Sequence, residues 1–380
     1  MTVNGRLRIG VVGTSSHVAN THLTYLASYP RAELAAVCGR NADRTAATAA
    51  RFGIPVGYTD FADMLDRGKL DAVVIGSPDD LHSSMALAAL DHGLHVLCEK
   101  PLARTTAEAQ AMYCRAEDAG VKHMTNFSWR WLPAQRYARA LIDQGWIGKP
   151  FDCTIVFRGG YGRDSAYAWR FDTLRGDGVL GDLGSHAFDL ARWYVGEIRR
   201  VATTARAFIA RDTVGTERAE SASDSALTLV DFLNGAHGVV VVSAVSHLGE
   251  REMEQRIRIH GERGTLEVDY TKPGSAIRYA GATDGEFQTL RIPEQFAGSR
   301  PEDPFAVFEE LSVGDRFFVD AILDDLPISP SFEDGVEVQR VLDAAREAGR
   351  TGHWVDVDAR STGHTGGELL TEKRWLRQRP

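Results

Sequence analysis

The stretch "LDAVVIGSPDDLHSSMALAALDHGLHVLCEKPLA", Leu70 to Ala103, decides the fold. It opens on a buried-strand run, "LDAVVI", that stops at Gly76 and Pro78. "LHSSMALAALDHG" then reads as a helix and "LHVLC" as a second apolar strand. A strand, a helix and a strand in this order make a βαβ unit, hence a parallel sheet with helices on its faces. Two charges and a proline, Glu99, Lys100 and Pro101, follow the second strand at once. Charged side chains seldom sit buried without partners, so this strand end is expected to carry chemistry.

The same rhythm runs outward on both sides. "LRIGVVG" (Leu7 to Gly13) and "LAAVCGR" (Leu34 to Arg40) are strands, and "VKHMTNF" (Val121 to Phe127) is the last of the series. Helical segments lie between them, including "HLTYLASYP", which stops at Pro30, and the Ala-rich "NADRTAATAARFG". Residues 1–128 are therefore expected to form an open α/β domain of nucleotide-binding type. After Trp129 the pattern changes to alternating runs such as "FDCTIVFRG", "DSALTLVDFLNG", "EQRIRIHG" and "GTLEVDY", joined by Asn-Gly and Gly turns. Residues 129–360 are expected to form an α+β domain around a large, mainly antiparallel sheet. The segments "FAVFEELSVGDRFFVDAILDD" and "FEDGVEVQRVLDAAREAG" are expected to close it as two helices. Residues 361–380 read as a C-terminal tail, and the polar segment Arg211 to Asp224 as a mobile loop.

Composition narrows the function classes. A chain of 380 residues with 43% apolar and 25% charged residues has enough core for two domains. The net charge of −9 argues against a nucleic-acid binder, so a phosphate site must be local. The basic end "EKRWLRQRP" reads as a solvated tail. Cys38, Cys98, Cys114 and Cys153 form no C-x-x-C pair, which points to reduced thiols and gives no zinc spacing. The N-terminus has no signal-peptide core, and the longest apolar run, "GVVVVSAVS", is too short to span a membrane. A cytoplasmic protein without membrane partners is expected.

The first turn reads Gly13-Thr14-Ser15-Ser16-His17-Val18-Ala19. A dinucleotide turn normally reads G-x-G-x-x-G, because glycines let the backbone approach the pyrophosphate. Only the first glycine is present, and Ser15 holds the second place, so an ordinary strand–turn–helix competes with the cofactor reading. Ser and Thr at a helix start still cap it and offer hydroxyls to phosphate. The second strand ends in Cys38-Gly39-Arg40-Asn41, with Arg44 one turn on and no carboxylate at the tip. An acid there would hold the ribose 2′-OH of NAD, whereas an arginine accommodates the 2′-phosphate of NADP. The expected cofactor is therefore NADP(H) in preference to NAD(H), against the alternative that Arg40 is a plain surface charge. Ser77-Pro78 makes a rigid turn at the third strand end. His82 either faces the nicotinamide or merely opens its helix.

The second constellation is "GDGVLGDLGSHAFDLARWYVG", Gly176 to Gly196. Asp182 and His186 are four apart and share one face of a helix. Such a pair is an acid–base couple or, as is more frequent, a surface salt link. No third ligand has matching spacing, so no metal is expected.

These pieces together resemble the glucose–fructose oxidoreductase/inositol dehydrogenase (Gfo/Idh/MocA) family. The resemblance runs over roughly residues 6 to 200 through "IGVVGT", "AAVCGRNADR", "LDAVVIGSPDDLH", "GLHVLCEKPLA", "AEDAGVKHM", "RWLPAQRYARALIDQGWIGKP" and "GVLGDLGSHAFDLARW". "EKP" after a strand, followed later by D-x-G-x-H, is its specific part. The resemblance implies a Rossmann doubly wound domain followed by an open-sheet domain that binds substrate and forms homodimers or homotetramers. It implies that Lys100 is catalytic, that Glu99 binds the nicotinamide ribose, and that Asp182 and His186 are the acid–base pair. It places Trp169 and Arg170 beside nicotinamide or substrate, and Arg130 in the active-site region. Three departures stand out: His22 falls one place later than the family histidine, "GDG" with Asp177 replaces a common "GGG", and Gly39-Arg40 replaces the acid of NAD-type members. Asp177 is expected to add a carboxylate at the substrate mouth.

The expected activity is hydride transfer between nicotinamide and a carbinol or ketone carbon of a sugar, cyclitol or related polyol. A neutral His186, its tautomer set by Asp182, would take the hydroxyl proton while Lys100 stabilises the alkoxide. The loop "GGYGRDSAYAWRFD" brings Tyr161, Tyr167 and Trp169 either to the polyol pocket or into ordinary packing. Two other activities remain open at this level: transient sugar oxidation serving a net non-redox cleavage, and a non-catalytic NADP(H)-binding regulator.

Overall fold

The structure, a computed structural model, describes residues 5–212, 221–271 and 274–357. Its first sheet has six parallel strands: β1 (Leu7–Val12), β2 (Ala32–Cys38), β3 (Val56–Tyr58), β4 (Ala72–Ile75), β5 (His95–Cys98) and β6 (His123–Thr125). Their order is β3-β2-β1-β4-β5-β6. Ile9, Val11, Val73, Val74 and Ile75 are fully buried, because helices cover both faces of a parallel sheet. That is why β1 and β4 read as unbroken apolar runs. The strand order reverses between β1 and β4, and a crevice opens at their carboxyl ends. The edge strand β3 has no counterpart in the sequence reading. It is three residues long with Gly57 at its centre, too short to show a period of two.

The second sheet has nine strands: β7 (Pro150–Gly159), β8 (Ile198–Arg206), β9 (Ser225–Phe232), β10 (His237–Ser243), β11 (Met253–Gly261), β12 (Gly264–Thr271), β13 (Gly274–Gly281), β14 (Gln288–Leu290) and β15 (Val355–Asp356). The order is β14-β13-β12-β11-β7-β10-β9-β8-β15, antiparallel except where β7 meets β10. Burial alternates along β9 and β12, as a sheet with one covered face requires. Helices 133–143, 185–195 and 332–351 cover that inner face through Ala138, Leu141, Phe188, Ala191, Val341 and Leu342.

The C-terminal helices do more than close the second domain. The first expected helix is broken into Val307–Glu310 and Asp315–Leu323, with Gly314 at φ +55° between them. Phe318 and Val319 enter the core with Leu7, Ile9 and Leu97, and Phe332 and Val336 pack with Val73, Val96 and Leu102. Segments grouped by sequence with the second domain thus bury side chains under the first sheet. The ends of the expected mobile loop are anchored: Arg211 lies 3.2 Å from Asp224, both side chains buried. Its residues 213–220 and the tail 361–380 fall outside the described residues.

Candidate active site

The turn after β1 presses against the turn after β4. Gly13 has φ +119°, and a Cβ there would stand 2.8 Å from the carbonyl oxygen of Gly76. Ser15 caps the helix that follows, its Oγ accepting from Val18 N at 3.3 Å. The helix from Ser16 to Ala27 contains one wide π turn, Ala19–Leu23. That turn takes up the extra residue noticed in the sequence, so that His22 still faces inward. His22 Nδ1 sits 2.6 Å from Asp315 Oδ1, and its Nε2 sits 3.1 Å from Glu99 Oε1. Burial alone would lower the pKa of His22, but the two carboxylates outweigh it and raise the value to about 10.

Glu99 is the hub of this end. Its Oε1 receives Asn126 Nδ2 at 2.7 Å and faces Nε2 of both His22 and His17, the latter at 3.2 Å. Its Oε2 accepts from Lys100 N at 3.1 Å. Burial opposes ionisation, yet these donors hold the carboxyl well below the usual carboxylate range. His17, His22 and Glu99 also place three ligand-type atoms within 4.8 Å of one another. Both histidines lie within hydrogen-bond distance of Glu99 Oε1.

The chemical end is built on a second π turn, Leu180–Gly184, which runs into helix 185–195. It delivers Asp182 to Lys100: Nζ donates to Asp182 Oδ1 at 2.9 Å and to its backbone oxygen at 3.1 Å. Tyr161 donates its hydroxyl to Asp182 Oδ2 at 2.5 Å, and Arg170 Nε lies 3.7 Å from the same oxygen. Burial works against charge on both partners, but Lys100 and Arg170 lower the pKa of Asp182, and Asp182 and Glu99 raise that of Lys100. His186 is pushed well below its ordinary value by burial and by the Lys100 charge, so it is neutral. Its ring lies among Phe127, Trp129 and Phe157, with centroids 6.3 to 6.4 Å away, and Nδ1 is buried without a partner.

One cleft of about 1020 Å³ joins the two ends. Gly13, Thr14, Ser15, Ser16, His17, Arg40, Ser77, Pro78, Glu99, Lys100, Tyr161, Trp169, Arg170, Asp182 and His186 all line it. Arg44 lies there beside Arg40, and Trp129, Phe157, Phe305 and Phe308 form an apolar wall. Ser77 and His186 line the cleft, and Ser77 Oγ and His186 Nδ1 are buried polar atoms without partners. The donor set suits a dinucleotide and a hydroxylated substrate.

Several expectations need correction. Asp182 does not set the tautomer of His186, because its oxygens are taken by Lys100 and Tyr161. Val18 is fully buried, packed near Gly13 and Gly76, so its side chain faces the core. His82 is also fully buried, its ring nitrogens 2.9 Å from Pro101 O and 3.0 Å from Ser77 O, and it ties those two loops together below the cleft. Arg130 lies outside the lining: it grips both oxygens of Asp189 at 2.8 and 2.5 Å and reaches Asp334 at 3.0 Å. Asp177 turns from the mouth toward Arg104 and Arg346, 3.8 and 3.7 Å away. Tyr167 bonds Asp172 at 3.0 Å rather than entering the cleft. Two further residues join the site: Asn126, whose signal in the sequence is its place just after β6, and Asp315, which has no local signal at all.

Comparison with known proteins agrees with this geometry. Residues 7–127 match the model described as "Oxidoreductase family, NAD-binding Rossmann fold", and residues 135–267 match "GFO/IDH/MocA C-terminal domain". Levoglucosan dehydrogenase of Pseudarthrobacter phenanthrenivorans is 31% identical over 351 residues, covering 83% of this chain and 87% of that protein. D-xylose 1-dehydrogenase (NADP(+)) 2 of Haloferax volcanii is 30% identical, covering 86% of this chain and 92% of its own. Among solved structures, levoglucosan dehydrogenase in complex with NADH and levoglucosan superposes with a TM-score of 0.83 at 28% identity, covering 93% and 100% of the two chains.

Proposed function

The chain belongs to the Gfo/Idh/MocA oxidoreductase family, and we propose that within it the protein is an NADP(H)-preferring dehydrogenase or reductase acting on a sugar, cyclitol or related polyol. The observation that carries this reading is the Lys100–Asp182 pair at the centre of the cleft, with a neutral and unpartnered His186 beside it. Nicotinamide, when bound, supplies or accepts the hydride. Lys100 uses two of its three ammonium protons on Asp182, which leaves one for the substrate oxygen. Asp182 keeps that ammonium charged and aimed. In oxidation His186 takes the hydroxyl proton through its imidazole ring; in reduction it returns a proton to the carbonyl oxygen. Lys100 stabilises the charge that builds on that oxygen. The aromatic wall offers flat faces to the apolar side of a sugar ring.

Arg40 and Arg44 on the cleft, with no carboxylate at the tip of β2, support the NADP(H) preference. The relatives named for levoglucosan and D-xylose support the substrate class. The outer face of the second sheet supports a homodimer or homotetramer. Thr204, Leu227, Val241 and Val156 form one cross-strand row, and Ala202, Leu229, Val239 and Thr154 form the next. Leu227 and Leu229 are about half exposed. The free cysteines support a reducing, cytoplasmic setting, and no helix among the described residues is long and apolar enough to cross a membrane.

Parallel fluorescence titrations with NADPH and NADH test the cofactor reading. NADPH is expected to bind at least tenfold tighter, about 1.4 kcal/mol, with Arg40→Ala removing most of the difference. Equal or NADH-favoured binding would overturn the preference. A panel of anhydro sugars, pentoses and inositols then tests the substrate class by NADPH formation.

A further inference from the structure

One ionisable side chain in the cleft has no part in the chemistry above. Asp79 follows the Ser77-Pro78 turn beyond β4 and opens the short helical turn Asp79–Leu81. It lines the cleft and is 7% exposed. The other buried carboxylates there are all held: Glu99 by Asn126 and the two histidines, Asp182 by Lys100 and Tyr161, Asp315 by His22. The Asp79 side chain makes no hydrogen bond and no ion pair among the described residues, and its oxygens are not sealed from the cleft; its backbone carbonyl accepts from His82 N. Its carboxyl packs near Pro101 and the backbone of Gly181, where a Cβ would stand 3.8 Å from both Asp79 Oδ2 and Pro101 Cγ.

The charges that face it come from three segments: Lys100 beyond β5, Asp177 and Asp182 from the turn before helix 185–195, and Arg170 from the 169–171 turn. Both cations lean on Asp182 instead. The Cys98 thiol nearby is itself kept protonated by burial. A buried carboxylate without a donor is unfavourable, whereas the neutral acid costs far less and carries a proton to give. Burial pushes the pKa of Asp79 well up; Lys100 and Arg170 pull against this, and Asp182 and Asp177 add to it.

We propose that Asp79 is a ligand-binding residue that stands in the cleft as a neutral carboxylic acid and donates a hydrogen bond to a hydroxyl or carbonyl oxygen of the bound ligand. The proposal rests on the cleft being the nicotinamide and substrate site. It adds a donor that fails once Asp79 ionises, so ligand binding acquires an alkaline limit that Lys100 and His186 do not set.

Difference infrared spectroscopy of the full chain against Asp79→Asn tests it without turnover. The wild type at neutral pH is expected to show the C=O stretch of a protonated carboxylic acid that the variant lacks, with Asp177→Asn as the control that retains it. The band shifts on adding NADPH if the dinucleotide is the acceptor, and only on adding the sugar if the substrate is. Loss of carboxylate intensity in its place, or a band unmoved by either ligand, would overturn the proposal. In turnover, Asp79→Asn keeps a donor and cannot ionise. It is expected to exceed Asp79→Ala by at least tenfold in kcat/KM and to lose the alkaline limb. Equal losses in the two variants would also overturn it. If the wild type binds neither NADPH nor NADH, the cofactor reading fails separately, and the band with its response to sugar alone still decides the role of Asp79.

Discussion

Lys100 and His22 show how single side chains are set by partners far away in sequence. Lys100 is aimed by Asp182 and charged by it, so Lys100→Ala removes both the donor and the counter-charge of the cleft. Turnover is expected to fall by ~10²–10³-fold, with far-UV circular dichroism unchanged; a loss below tenfold would mean that another group stabilises the oxygen. His22 lies between Glu99 and Asp315 and titrates near 10 in the fold against 6.5 outside it. Because the folded value is raised, the protonated ring stabilises the native state in full below about pH 6.5, and this is lost as pH rises through about 10. The amount is on the order of a few kcal/mol. Urea unfolding of the wild type is therefore expected to lose more stability than His22→Gln as pH is raised over that window. Parallel stability–pH curves would show that His22 is neutral in the fold.

At the scale of elements, the two π turns do similar work. Ala19–Leu23 holds His22, which faces Glu99, and Leu180–Gly184 holds Asp182, which meets Lys100. Each lets a helix take in one more residue than a regular turn while the helix on either side keeps its face. Asn20 lies on the exposed side of the first π turn. Deleting it should leave a regular helix, with His22 still on Glu99 and Asp315. The expected change in Tm is no more than about 4 °C, with NADPH binding kept. A larger fall, together with loss of the pH dependence of stability, would show that the extra residue itself sets the histidine's direction. The one-residue offset was visible in the sequence. Its resolution was not, because spacing on a one-dimensional chain does not say whether a helix absorbs an insertion or passes it on as a rotation.

Over the whole molecule, the second sheet buries one face under helices and leaves Leu227 and Leu229 on the other. If this face joins copies of the chain as proposed, replacing both with charged residues, Leu227→Asp with Leu229→Lys, should give a monomer in light scattering while the cofactor still binds. A monomeric wild type would overturn the interface. The alternation of strands and helices, the parallel first sheet, the change to alternating strands beyond Trp129, and the placing of Glu99 and Lys100 at a strand end were legible in the sequence. These are local: apolar periodicity, glycine and proline punctuation, and charge at the end of a buried strand can be read within a few residues. Tertiary structure alone decided the partners. Asp182 binds Lys100 rather than His186, Arg130 is bound by Asp189 and Asp334 away from the cleft, and Asp315 returns from the C-terminal part of the chain to charge His22. A buried charge pairs with whichever opposite charge the packing brings within reach, and that distance is a property of the folded chain, not of the spacing along it.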